Sequence, residues 1–89
     1  MADKISKETL RAQLLELFSK HAQAGTTTTE KSHISGDLGI DSLAVMEIVA
    51  EIEDRYEVSF PDDALPAIRT VGDVVKALTN HLDKEGRIG

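Results

Sequence analysis

Cysteine and tryptophan are absent from this chain of 89 residues, and its aromatic side chains are Phe18, Tyr56 and Phe60 alone. Without cysteine there is neither a disulfide framework nor a thiolate metal site. The three histidines, His21, His33 and His81, do not stand at metal-ligand spacing, so no metal is assigned. With so few aromatics the core must be aliphatic, which suits packed helices. No apolar run approaches the ~18 residues of a membrane span, and the opening stretch, MADKISKETL, is too polar for a signal peptide. The expectation is a cytoplasmic protein with no membrane insertion.

Hydrophobic residues make up 40% of the chain, enough for one modest core. A domain of this size buries about 60% of the surface its unfolded chain exposes, and a single domain over residues 1–89, with its core from about 5 to 82, is expected. The charge is uneven. Residues 41–57 hold six acids against Arg55, a net −5 of the chain's −6. An acidic face repels phosphate backbones and argues against nucleic acid. It suits basic protein surfaces, although a solubilising helix face would look the same.

Three stretches carry helical periodicity. In the first, Ser6 is placed to cap, Ile5 and Leu10 have the spacing of a hydrophobic staple, and Leu10, Leu14, Leu17, Phe18 and His21 share a face that ends by Gly25. A long loop of about twenty residues follows, with a run of four threonines and with Ile34, Leu38 and Ile40 as its anchors. The second helix runs from Ser42 to Tyr56, its apolar stripe being Val45, Ile48, Val49, Ile52 and Tyr56. Pro61 and Pro66 bracket room for one short helical turn. The last helix starts near Thr70, with Asp73 as a weak form of capping box and with Val71, Val74, Val75, Leu78 and Leu82 inward. The polar tail DKEGRIG is expected to fray. The pattern predicts an all-α fold, a small four-helix bundle with three longer helices, a short third helix and a long first loop.

Ser42 stands where turn formers give way to the second helix, in GDLGIDSLAVMEIV. It can be an ordinary first-turn residue behind an Asp41 cap. It can be a nucleophile, with His33 as base and Asp37 or Asp41 behind it. The surrounding Ile40-Asp41-Ser42-Leu43-Ala44 is no nucleophile elbow, however, and a domain this small has little room for a substrate pocket and an oxyanion hole. Or it can be a point of covalent attachment, in which the serine is a substrate. That role needs an exposed hydroxyl on a firm support, and a helix N-terminus also tolerates a phosphate.

The residues DLGIDSL (37–43), Glu47, IEDRYEVSFPDD (52–63), Ile68 and TVGDVV (70–75) together resemble the acyl carrier protein family. The likeness covers the chain from about Ile5 to Leu82. It implies that Ser42 carries 4′-phosphopantetheine, added from coenzyme A by a phosphopantetheinyl transferase, and that the arm's thiol holds an acyl group as a thioester. The protein is then no enzyme. It is loaded by a ligase or acyltransferase and delivers cargo to synthase or transferase enzymes with basic surfaces in fatty-acid, lipid-modification or secondary metabolism, working as a monomer. Asp41, Leu43, Met46, Glu47, Glu51 and Asp54 take the partner-binding role, although Met46 lies one position off the apolar stripe and can also be read as core. Val49, Ile52, Leu65, Ile68 and Val74 are candidates to line an acyl-chain pocket, each of them also readable as plain core.

The sequence departs from the family pattern at Ala44, Arg55, Leu65, Pro66, Ala67 and Arg69, which points to a specialised member. An aminoacyl or polyketide carrier, and an acidic helical adaptor without a prosthetic group, stand as alternatives.

Overall fold

The structure, a computed structural model, describes residues 4–60 and 67–89. Its elements are α1 (Lys7–His21), α2 (Ser42–Tyr56) and α3 (Val71–Lys84). The all-α class stands, but the four-helix bundle is corrected to three helices among the described residues. Pro61 and Pro66 leave only four residues between them, and one turn does not repay the cost of helix nucleation. The expected turn itself lies outside the described residues.

Each helix begins where its cap chemistry places it. The Ser6 hydroxyl accepts from the Thr9 N–H at 3.1 Å. Asp41 accepts from Ala44 at 2.8 Å. Thr70 and Asp73 form a complete capping box, stronger than the sequence pattern suggests. Leu10, Leu14, Leu17 and Phe18 of α1, Ile48 and Ile52 of α2, and Val71, Val74, Leu78 and Leu82 of α3 meet in one core. Fully burying such a side chain contributes roughly 1.5–3 kcal/mol, so the apolar stripes hold the bundle and the caps adjust it. Tyr56 joins two helices, its phenol donating to Gln13 Oε1 at 2.6 Å. Burial pushes the Tyr56 hydroxyl above its ordinary pKa.

His21 departs from its expected inward face. It is the last residue of α1 and is exposed. The stripe ends one turn earlier, at Phe18, because the helix stops before a further turn can bury anything.

The long loop is held by main-chain bonds to the start of α3. Ile34 donates to the Arg69 carbonyl at 2.9 Å, Val71 to Ser32 at 3.1 Å and Gly72 to Glu30 at 2.8 Å. Ile34, Leu38 and Ile40 are buried as anchors. The chain then turns at Gly39, whose φ of +67° lies in the left-handed region and whose added Cβ would stand 2.7 Å from the Gln23 side chain.

The tail does not fray. Ile5 donates to Arg87 O at 2.9 Å and Gly89 donates to Ile5 O at 3.1 Å, so the two ends of the chain pair. The Arg87 guanidinium also bonds the Tyr56 carbonyl. These are backbone bonds and one long side chain, neither of which the polar composition of the tail reveals.

Candidate functional site

Ser42 opens α2 as its first residue and is exposed. The local sequence produces this. Gly39 reverses the chain, Ile40 is buried and anchors the turn, and Asp41 adopts an extended backbone with its carboxylate turned back over the first turn. A helix leaves its first N–H groups without intrahelical partners. Asp41 satisfies one of them, at Ala44, and the partial positive charge of the helix end faces the Ser42 side. No described hydrogen bond joins Ser42 to a histidine. The His33 main chain is engaged in a bridge with Thr70 and in a 2.7 Å bond to Asp37 Oδ2.

Around Ser42 the surface is apolar at its centre and acidic at its edge. Leu43 is 67% exposed and Met46 61% exposed, the two large hydrophobic side chains displayed to solvent among the described residues. Met46 is thus a surface residue and not core. Asp41, Glu47, Glu51 and Asp54 are all exposed. Glu51 has an exposed partner one turn on, Arg55 at 3.8 Å, a pair of the kind that contributes about 0.3–0.5 kcal/mol.

A groove of about 350 Å³ opens beside the hydroxyl. Ser42, Val45 and Met46 form its α2 wall, Ile34, Ser35 and Ile40 come from the loop, and Ile68 and Arg69 from the chain entering α3. Of the residues expected to line an acyl pocket, Ile68 lies here. Val49, Ile52 and Val74 are buried, and Leu65 lies outside the described residues. Ile34, Ile40 and Val45 look in the sequence like core anchors. A residue that lines a groove is apolar for the same reason as one that fills a core, so no sequence signal separates the two.

Small and helical, with an exposed serine at a helix start and with a groove and an acidic rim around it, the site suits a protein that is modified and handed between enzymes. Comparison with known proteins gives that class its family. The family model described as "Phosphopantetheine attachment site" matches residues 12–78. The meromycolate extension acyl carrier protein of Mycolicibacterium aurum is 40% identical over 82 residues, covering 90% of this chain and 82% of the relative. An acyl carrier protein of Rhodococcus erythropolis is 48% identical over 59 residues, covering 66% of this chain and 63% of the relative. Among solved structures, a candidate acyl carrier protein from Mycobacterium tuberculosis superposes with a TM-score of 0.63 at 25% identity, covering 82% of this chain and 93% of that one.

The chain belongs to the acyl carrier protein family. It carries acyl groups on a 4′-phosphopantetheine arm held covalently by a serine, and it is a carrier, not a catalyst. Phosphopantetheinyl transferases and acyl-transfer enzymes are its partners as a family member. The surroundings of Ser42 fit the group: an exposed hydroxyl, a positive helix end for the phosphate, and an apolar groove with one arginine. When bound, the arm supplies a thiol that forms the thioester. No helix among the described residues is long and apolar enough to cross a membrane.

Proposed function

We propose that Ser42 is the serine that bears the arm, and that this protein is a specialised carrier of acyl intermediates. One observation supports this above the rest: the Ser42 hydroxyl is exposed at a helix start with Leu43 and Met46 displayed beside it. Two of the other serines, Ser6 and Ser32, are engaged elsewhere. Ser6 Oγ caps α1 and bonds Thr9, and Ser32 is buried, accepting from the Thr29 N–H at 2.9 Å.

Asp41, Glu47, Glu51 and Asp54 steer basic partner surfaces toward Leu43 and Met46. Rim charges raise the encounter rate without slowing release, which a shuttle requires. The flexible thioether of Met46 adapts to several partners. The acyl chain, once loaded, enters between α2 and α3 past Ile68, Val49, Ile52 and Val74. The likeness to a carrier named for meromycolate extension supports acyl extension as the setting, ahead of aminoacyl loading. The need for coenzyme A as donor of the arm supports a cytoplasmic setting.

Incubation with coenzyme A and a broad-specificity phosphopantetheinyl transferase, followed by mass spectrometry, tests the reading. One phosphopantetheine on Ser42, and none on Ser42→Ala, is the expected result. An adaptor that never bears the arm stays bare, and its partner binding survives Ser42→Ala.

A further inference from the structure

The groove beside Ser42 contains one charged side chain, Arg69. Its backbone is fixed from both sides. Its N–H donates to Asp73 Oδ2 at 3.0 Å, and its carbonyl accepts from Ile34 at 2.9 Å. The Cα is therefore held at the groove while the side chain is exposed. None of the described ion pairs engages the guanidinium. The nearest acid in sequence, Asp73, has its Oδ2 taken by the N–H groups of Arg69 and Thr70 and feels the Arg69 charge, but forms no ion pair with the guanidinium.

A phosphodiester on Ser42 adds a negative charge beside Asp41, at the head of a segment already rich in acid. The helix end offsets part of this. A guanidinium across the groove offsets more, and its planar fork can hold two phosphate oxygens at once. The chemistry of the arm continues the match. Next to the phosphate, pantetheine has a carbon bearing two methyl groups. Val45, Met46 and Ile68 present an apolar wall in the same groove as the serine. The polar hydroxyl and amides come later along the arm. The groove volume of about 350 Å³ lies at the low end for small-molecule sites, which suits the phosphate and dimethyl portion and not the whole loaded arm.

We propose that Arg69 is a positioning residue for the prosthetic arm. It pairs with the phosphodiester on Ser42 and seats the dimethyl portion of the arm against Val45, Met46 and Ile68. The base of the arm is then directed along the groove, and only its thiol end swings freely. The inference rests on Ser42 as the attachment point.

Loading the full chain with ¹³C-labelled phosphopantetheine tests both together and keeps them apart. Mass spectrometry first establishes one arm on Ser42. Nuclear Overhauser contacts from the two arm methyls to the side chains of Val45 and Ile68 are then expected, with a ³¹P shift displaced from that of a free phosphodiester. Arg69→Gln loses the contacts and returns the ³¹P shift toward the free value, while Arg69→Lys restores part of both. Amide spectra of the unloaded variants, unchanged from wild type, show that the fold is intact. A protein that takes no arm overturns the attachment and this proposal with it. A protein loaded on Ser42 whose arm methyls show no such contacts, or whose contacts survive Arg69→Gln, overturns the proposal and leaves the attachment standing.

Discussion

The starts of α2 and α3 flank the same loop and are used in opposite ways. At α3 every N–H from Arg69 to Asp73 has an acceptor. Asp73 takes those of Arg69 and Thr70, Ser32 and Glu30 take those of Val71 and Gly72, and Thr70 takes that of Asp73. At α2, Asp41 takes that of Ala44, and Ser42 is left to solvent. With each net hydrogen bond contributing about 1 kcal/mol, the two ends differ by several bonds' worth of local order. A helix start closed by its own chain is a structural joint. One left open can receive a phosphate.

The widest separation between the two ends is chemical. Ser42→Ala should abolish uptake of phosphopantetheine, read by mass spectrometry, while stability in urea changes by no more than about 0.5 kcal/mol, as for an exposed site away from packing. A large loss of stability would mean that the α2 start is a structural joint as well, and the contrast would fail. Gly72→Ala probes the other end. An added Cβ there stands 2.9 Å from the Glu30 carbonyl oxygen, which belongs to the backbone and cannot swing aside. A destabilisation of about 1–3 kcal/mol is expected, with arm uptake kept. Wild-type stability in that variant would show that the loop does not hold α3 as tightly as its bonds indicate.

Both helix starts were legible in the sequence, and for a shared reason. Asp41 and Thr70 each precede an apolar stripe, and capping is a local interaction of residues three apart. The end of α2 at Tyr56 was legible too, although no glycine marks it. Glu57 adopts the left-handed cap conformation with φ +52°, and the end shows only because the stripe stops. The loop's bonds to Arg69, Val71 and Gly72 have no sequence signature, since they join segments more than thirty residues apart through backbone atoms that every residue owns. The docking of the tail on Ile5 was hidden in the same way. The expectation of a short third helix rests on Pro61 and Pro66, a segment outside the described residues. At the site, Ser42 stood out because turn formers and a helix meet there. The groove did not, because its wall is made of residues that read as core.

A finer comparison comes from the caps. Thr70→Ala and Asp41→Ala should each cost about 1 kcal/mol in urea denaturation. Combined, these two should add, since they remove separate bonds at separate helices. Thr70→Ala combined with Asp73→Ala should not add, because the two side chains close one reciprocal box. Its measured interaction energy should exceed the roughly 0.3–0.5 kcal/mol within which independent sites agree. Additivity there would reduce the box to two unconnected bonds.

The smallest effect is one of pH, and it belongs to α3 alone. The N–H groups of Arg69 and then Thr70 hold the Asp73 carboxyl below its ordinary pKa. A carboxylate lowered on folding contributes stability that is fully present above its unfolded pKa, about 3.9 for aspartate, and is lost as pH falls through the folded value. The stability gap between wild type and Asp73→Ala should therefore be constant near neutrality and narrow below about pH 4. The side chain is only partly buried, so solvent screens the effect and the narrowing stays a fraction of the gap. A gap that stays constant into acid would mean that the two N–H bonds to Asp73 do not depend on its charge, and the difference between a closed helix start and an open one would then rest on hydrogen-bond geometry alone.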